Sequence, residues 1–242
     1  MSESAIVLFT DYGLHGPYVG LLHAVIRKRL PDCPIIDLQH DLPPFRPRGA
    51  GLLLQSQLAW LPPSSTIVAV VDPGVGTQRR GLIVRHAGFT LIAPDNGLLA
   101  PFLSGATSIQ GIDTPPQGSC RTFHGRDWFA PVAANLIAGE PVVTHPVDAV
   151  SCVGYDWPPM LDEVIYADRF GNLMLGRTGE SVSSEQAIDV AGHPLRYAGT
   201  FAEVPAGTPF WHINSLGLVE LAVNQGSAAT LLDLAVGDTV KI

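Results

Sequence analysis

The sequence has few of the features that would mark a secreted, nucleic-acid-binding or membrane protein. Its three cysteines, Cys33, Cys120 and Cys152, are odd in number and widely spaced, which excludes a disulfide scaffold and favours reduced thiols in the cytoplasm. Against 22 Asp and Glu there are only 14 Lys and Arg, a net charge of −8 without a basic stripe, so nucleic acid is not an expected partner. Apolar runs fall far short of the ~20 residues of a membrane span, and Met1-Ser-Glu-Ser-Ala has no basic leader. We therefore expect a cytoplasmic protein.

Metal-ligand spacing is lacking as well. The eight His residues form no H-x-H, H-x-x-x-H or H-E-x-x-H pattern, and the cysteines are too scattered to hold zinc. We therefore expect no metal site. What the chain does have is length and apolar content: 242 residues, 46% of them hydrophobic, are enough for one large domain or two modest ones with buried cores.

In the first 140 residues, short apolar runs alternate with helical patterns. Strands are predicted at 5–9, 34–38, 66–71, 82–85 and 89–93, and helices at 17–30, 47–61 and 126–138. Alternating strands and helices are typical of βαβ crossovers, in which helices cover a largely parallel sheet. We predict an N-terminal α/β catalytic domain over 1–145.

The pattern changes after Gly139, where prolines interrupt a stretch without clear periodicity, and we predict a linker at about 146–159. Beyond it, short alternating segments are separated by turns that contain Gly and Ser. The segments are 163–168, 172–175, 187–190, 195–197, 210–213, 218–223 and 239–242. They predict a smaller, antiparallel, β-barrel-like domain over 160–242.

Two acidic residues directly follow predicted strands of the first domain. Asp11, in FTDYG at 9–13, is placed where α/β proteins bind ligands and is suited to accept hydrogen bonds from a ribose, although it equally suits the cap of the helix near Pro17. Asp72 begins a loop, VVDPGVGTQRR at 70–80, whose D-x-G-x-G core is typical of Rossmann methyltransferases. However, Gln78 stands where a third glycine belongs, and strand-like sequence follows instead of a helix. A tight turn would explain the glycines, but not an Asp and an Arg placed seven residues apart.

The other candidate residues lie in loops of ordinary composition. His124, in FHGRDWFAP at 123–131, precedes a predicted helix, where a histidine is more often a structural or capping residue than a catalyst. In the smaller domain, DRFGN at 168–172 and INSLG at 213–217 are common turn sequences, so a purely structural role remains open there too.

Taken together, these segments resemble the S-adenosylmethionine (SAM) hydroxide adenosyltransferase, or SAM hydrolase, family, which is related to the bacterial fluorinase and chlorinase. The pieces occur in the family's order: FTDYG, VVDPGVGTQRR, APDNGLL, FHGRDWFAP, DRFGN and INSLG followed by LAVNQGSAA. The resemblance implies a larger α/β domain joined to a smaller β domain. It also implies a homotrimer in which SAM lies between the N-terminal domain of one subunit and the C-terminal domain of its neighbour.

Position by position, the resemblance implies that Asp72, Arg79 and His124 are catalytic. It also implies a set of substrate-binding residues: Asp11 on the ribose diol, Phe45 as a wall of the ribose pocket, Asp168 near the methionine amino group, Phe170, Asn172 and Phe201 around adenine, and Ser215 on the methionine carboxylate. Gly16 and Leu216 depart from the residues common in relatives, and both lie toward the methionine end.

Two features favour hydrolysis over halogenation. The chain lacks the extra loop that the fluorinase has before APDNGLL, and it carries Asp72 where the halide enzymes have a non-acidic residue. A carboxylate repels a halide but orients a water molecule. We therefore predict that water attacks C5′ of SAM to give adenosine and L-methionine, without a separate cofactor. A SAM-dependent methyltransferase, or a non-catalytic module that binds adenosine or SAM, is the alternative.

Overall fold

The computed structural model describes residues 5–112, 115–190 and 192–242. The prediction that the chain has no basic leader concerns its first residues, and residues 1–4 lie outside the described residues. The chain divides into two compact units, Met1–Trp157 and Pro158–Ile242, and each unit has its own sheet.

The N-terminal unit is built on a sheet in which seven of the described strands take part, in the order β2-β1-β3-β5-β4-β6-β7. The strands are β1 (Ile6–Thr10), β2 (Ile35–Gln39), β3 (Thr66–Val70), β4 (Gly81–His86), β5 (Phe89–Pro94), β6 (Ser108–Ile112) and β7 (His145–Pro146). β2, β1, β3 and β5 run parallel, whereas β4, β6 and β7 extend the sheet through antiparallel pairings. The predicted mainly parallel sheet is thus confirmed, and it carries an antiparallel extension.

Helices pack against this sheet because each presents apolar residues to it. They are α1 (Tyr18–Arg29), α2 (Pro47–Gln57), α3 (Ala100–Leu103) and α4 (Ala130–Ala138). In α1, the buried residues Leu22 and Ile26 stand one turn apart. β1 and β3 are buried at every position, as expected of parallel strands that are covered on both faces. The predicted helix at 126–138 begins instead as a π turn, Gly125–Phe129, before α4, and the predicted helix at 47–61 ends in a 3₁₀ turn, Leu58–Trp60.

The C-terminal unit is a sheet curled into a half-barrel, with the described strands in the order β10-β11-β12-β13-β9-β8. Its elements are β8 (Leu161–Ala167), β9 (Leu173–Thr178), β10 (Ile188–Val190), β11 (His193–Tyr197), β12 (Pro209–Ile213), β13 (Leu218–Val223) and α5 (Ala228–Leu232). Pairings are antiparallel as predicted, except that β11 runs parallel to β12. The predicted strand at 239–242 is wrong, because only Thr239 forms a bridge, to Glu163.

Two further properties concern only the described part of the chain. None of its helices is both long and apolar enough to cross a membrane. Within the same residues, His, Cys, Asp and Glu side chains do not gather in groups of three that could hold a metal ion.

Candidate active site

A pocket of about 70 Å³ lies at the carboxyl ends of β1 and β3 in the N-terminal unit. These strands are parallel neighbours, so Asp11 and Asp72, which follow them, emerge at the same edge of the sheet. The backbone N–H of Asp11 donates to the carbonyl oxygen of Val70 at 3.3 Å and ties the two strand ends together. The pocket is lined by Asp11, Tyr12, Phe45, Val70, Asp72, Val75, Thr122, His124 and Gly125. Four of the residues predicted from the sequence are therefore brought together here.

Arg79 joins Asp72 and His124 into one hydrogen-bonded network. Its Nε donates to Asp72 Oδ1 at 2.8 Å, and its Nη2 donates both to Asp72 Oδ2 and, at 3.0 Å, to Nδ1 of His124. The Arg79 and Asp72 side chains are only 9% and 4% exposed, which makes this a buried, two-pronged ion pair. The Arg79 guanidinium also lies over the rings of Trp128 and Phe129.

The glycine loop brings Arg79 back to Asp72. Val75 N–H donates to the Asp72 carbonyl at 3.2 Å, and Thr77 N–H donates to the Gly74 carbonyl at 3.2 Å, so the chain reverses within a few residues. Gly76 has a φ of +82°, and a Cβ there would stand 2.8 Å from the carbonyl oxygen of Arg121. The tight turn considered from the sequence is thus real, and its consequence is the Asp72–Arg79 pair. β4 follows the loop, as the sequence indicated.

His124 occupies the N-terminus of the π turn without capping it. Within the described residues its imidazole makes no capping bond, and it packs edge-on against Trp128 at 5.3 Å. A guanidinium can only donate, so the Nδ1 that faces Arg79 is unprotonated and the neutral ring carries its proton on Nε2. Burial, together with the positive charge of Arg79, lowers the pKa of His124. His124 is therefore a neutral imidazole at pH 7.

Asp11 does not cap α1. In the described part of the chain that helix follows Pro17 without a side-chain cap. Burial raises the pKa of Asp11 to about 6, an effect that its own backbone hydrogen bond opposes and the negative charge of Asp72 reinforces. Burial and the same two carboxylates also raise the pKa of Tyr12. Sequence reasoning missed Tyr12, although its position beside Asp11 in FTDYG was a usable signal.

A hydrogen-bond chain that runs from buried Thr10 through buried His40 to exposed Asp37 holds the turn that carries Asp11. Thr10 Oγ1 lies 2.7 Å from Nδ1 of His40, whose Nε2 lies 3.0 Å from Asp37 Oδ1, and Gly13 N–H donates to the His40 carbonyl at 2.6 Å. Burial alone would raise the pKa of Asp37, but hydrogen bonds from His23 and His40 outweigh it and the pKa is lowered. The sequence analysis also missed His40, and its place directly after β2, at the same sheet edge, was the available signal.

The remaining predicted residues belong to the C-terminal unit. Asp168 Oδ1 accepts hydrogen bonds from the backbone N–H groups of Phe170 and Asn172 at 2.8 and 2.9 Å, and its Oδ2 accepts from Asn172 Nδ2 at 2.9 Å. Asp168 thus closes the turn that joins β8 to β9. Phe170, within that turn, is 67% exposed. Phe201 packs edge-on against Phe210 at 5.1 Å, and Ser215 is exposed in the turn between β12 and β13. Asp168 therefore has the structural role that the turn-like composition of DRFGN left open.

These features define a two-domain α/β protein with a buried Asp–Arg–His network at the ligand-binding edge of its parallel strands. Residues 6–145 match the model of the SAM hydroxide adenosyltransferase N-terminal domain, and residues 162–241 match that of the C-terminal domain. The chain belongs to the SAM hydroxide adenosyltransferase family, as the sequence motifs indicated.

Known proteins resemble the chain over nearly its full length. It is 38% identical to the (R)-S-adenosyl-L-methionine hydrolase of Salinispora arenicola, across 96% of this chain and 95% of that protein. It is 36% identical to the enzyme of the same name from Thermus thermophilus, across 98% of both. A crystal structure of an uncharacterized conserved protein from Thermotoga maritima matches with a TM-score of 0.86 and 32% identity, covering 98% of this chain and 99% of that one.

Proposed function

We propose that this protein hydrolyses SAM, with water attacking C5′ and adenosine and L-methionine as products. The observation that carries the proposal is the buried Asp72–Arg79–His124 network, which opens on the same pocket as Asp11. The names of the full-length relatives support the same reaction. Those names specify the (R) form, and we propose the same preference here.

In this proposal Asp11 and Phe45 position the ribose. An ionised Asp11 has two oxygens that can accept hydrogen bonds from both hydroxyls of the diol. Phe45 is 74% exposed beside the pocket and has a φ of +64°, a costly backbone conformation for a residue other than glycine. Such strain is typical of positions that are held in place for function.

We assign Asp72 as the general base that accepts a proton from the attacking water molecule. His124 is less suited, because its Nδ1 lone pair is occupied by Arg79 and its Nε2 carries a proton, so the neutral ring offers a donor to the water oxygen. Each Asp72 oxygen accepts one bond from Arg79 and retains a second lone pair. As the water oxygen bonds to C5′, the C5′–S bond breaks, its electron pair neutralises the sulfonium, and the proton passes to Asp72.

The rate gain in this mechanism comes mainly from placement. Holding the water ~3–3.5 Å from C5′, opposite the departing sulfur, supplies most of it, and base assistance adds ~10²–10⁴-fold. Inversion at C5′ follows from this in-line geometry. In this mechanism SAM is the substrate, and no separate cofactor takes part.

The alternatives predict different products. A Rossmann methyltransferase would have a helix after its glycine loop, whereas Gly76 is followed by β4. The deciding experiment incubates the protein with each separated sulfonium form of SAM and resolves the products by chromatography. We expect adenosine and L-methionine from the (R) form. Transfer of the methyl group to an acceptor would support the methyltransferase, and binding without any product would support the non-catalytic module.

We also propose a homotrimer whose active sites lie between subunits. Pockets for small-molecule ligands measure ~300–1,000 Å³, whereas the pocket beside Asp11 and Asp72 measures about 70 Å³, too little to enclose SAM by itself. That unit offers Asp11, Asp72, Arg79 and His124 but little to recognise adenine. The C-terminal unit has the complementary set of stacking and polar residues: Asp168, Phe170, Asn172, Phe201 and Ser215.

Subunit exchange tests this arrangement. Asp72→Ala and Asn172→Ala variants are each expected to be inactive, whereas their mixture should regain part of the activity, because some sites then combine two intact surfaces. Labelled subunits and mass measurement verify that exchange has occurred. If verified exchange restores no activity, the shared site is wrong.

The cytoplasmic location stays a prediction from cysteine content.

A further inference from the structure

The C-terminal unit buries a carboxylate that the proposed reaction does not use. Glu220, on β13, is 5% exposed, and both of its oxygens are hydrogen-bonded. Oε1 lies 2.9 Å from Nε2 of His212, directly opposite on β12, and Oε2 accepts from Asn214 Nδ2 at 2.9 Å. A glutamate is rarely buried to this degree unless it is paired, so these two partners account for its being there.

The bond to Asn214 orders the turn between β12 and β13. Because the Asn214 amide NH₂ faces Glu220, its Oδ1 faces the turn and accepts the backbone N–H groups of Leu216 at 2.9 Å and Leu218 at 3.1 Å. Rotating the amide by half a turn would set its NH₂ against those two N–H groups. Glu220 therefore selects the amide orientation that closes the turn, and Ser215 lies within that turn.

The bond to His212 reaches a second part of the same unit. The His212 ring packs against Phe201 at 5.4 Å and against Phe210 at 5.5 Å. Glu220 thereby holds the ring on which Phe201 rests. One buried carboxylate thus connects the two segments that carry Phe201 and Ser215.

We propose that Glu220 is a positioning residue for SAM binding, which orients the 214–218 turn and the support of Phe201. The proposal rests on the proposed function of this protein. Its natural rival is a purely structural role, in which Glu220 only stabilises the sheet. The two differ in what a substitution does to KM when the fold is retained.

Reversing the direction of the hydrogen bond between residues 214 and 220 distinguishes the positioning role from the purely structural one. In Glu220→Gln, the side chain has one acceptor and one donor. When its oxygen keeps the bond from His212 Nε2–H, its NH₂ meets the NH₂ of Asn214, and the turn loses the Leu216 and Leu218 bonds if Asn214 rotates. In Asn214→Asp, two carboxylates face each other. In the double variant the Gln NH₂ donates to one Asp oxygen, while the other oxygen accepts both turn N–H groups. Every bond is then restored, and only the bond between residues 220 and 214 has its direction reversed.

We expect each single variant to raise KM for SAM about tenfold, the effect of about one lost buried hydrogen bond, with kcat largely retained. The double variant should return KM toward the wild-type value. Backbone amide exchange at Leu216 and Leu218 should accelerate in the single variants and slow again in the double variant. Asp162→Asn is the control for loss of a paired carboxylate elsewhere in the same unit: Asp162 is the partner of Arg177, and its substitution should leave KM unchanged.

The outcomes separate the two proposals. A wild-type protein that releases no adenosine overturns the proposed function and, with it, the role of Glu220 in SAM binding. An active wild type whose folded Glu220→Gln variant keeps its KM, or a folded double variant that fails to restore KM, overturns the inference alone. If Glu220→Gln does not fold, Asn214→Ala removes the same turn acceptor, and an unchanged KM in that variant overturns the inference equally.

Discussion

Replacing Asp72 by Asn removes the negative charge of the Asp72–Arg79–His124 network while keeping the shape of the side chain. The amide retains one acceptor for Arg79 but can no longer take a proton from water. We expect turnover to fall by at least ~10²-fold, the lower range of general-base assistance. Because Asp72 also raises the pKa of Asp11, its neutralisation leaves Asp11 more fully ionised, so adenosine binding should be preserved.

The same substitution has a predictable cost in stability. Both partners are more than nine-tenths buried, and removing one member of a buried ion pair costs roughly 3–5 kcal/mol. Since Asn keeps one hydrogen bond, we expect about 3 kcal/mol. For a protein of this size that corresponds to a melting temperature lower by roughly 6–12 °C.

Three measurements check these values: adenosine release by chromatography, adenosine affinity by calorimetry and thermal unfolding. Asp95→Asn is the matched control, because Asp95 is also buried and paired, with Arg80 at 2.8 Å, yet lies outside the catalytic network. It should lower the melting temperature while most of the turnover remains. An Asp72→Asn variant with normal turnover would remove Asp72 from the mechanism, and a parallel loss of adenosine affinity would show that Asp72 acts through binding.

Three other consequences of the structure are open to measurement. Below about pH 6 Asp11 becomes protonated and loses acceptor capacity, so adenosine affinity should fall by up to about tenfold per pH unit. Calorimetry from pH 5 to 8 measures this dependence. In Asp11→Asn the pH dependence should be absent, and binding at pH 7 should be weaker than in the wild type. Thr10→Val should destabilise the protein by about 1–3 kcal/mol in denaturant unfolding because the buried Nδ1 of His40 loses its partner, whereas Thr10→Ser should not. Gly125→Ala would place a Cβ 2.2 Å from the Tyr12 hydroxyl oxygen, so the Tyr12 ring must shift. Assays of turnover and melting should show a loss of activity and about 1–3 kcal/mol of stability, and an unchanged variant would contradict the packing.

Much of the fold followed from local pattern. Continuous apolar runs such as β1 and β3 are what parallel strands covered on both faces require, and their alternation with helices predicted the α/β architecture. Strand partners were harder to predict. An alternating run shows that a strand exists but does not specify its neighbour or direction, so the parallel pairing of β11 with β12 was missed. β6 and β7, through which the antiparallel extension continues, were not predicted as strands at all.

For the candidate site, the residue types at the strand ends could be read from the sequence, and the order of its motifs was enough to identify the family. How those residues interact depends on the folded chain. Arg79 meets His124 across 45 residues of chain, and that contact decides which imidazole nitrogen holds the proton. Together with burial, the same contact lowers the pKa of His124. The same holds for the raised pKa of Asp11, which depends on burial and on a carboxylate from another strand. Protonation and hydrogen-bond polarity arise from distances between groups far apart in the chain, and local sequence does not encode those distances.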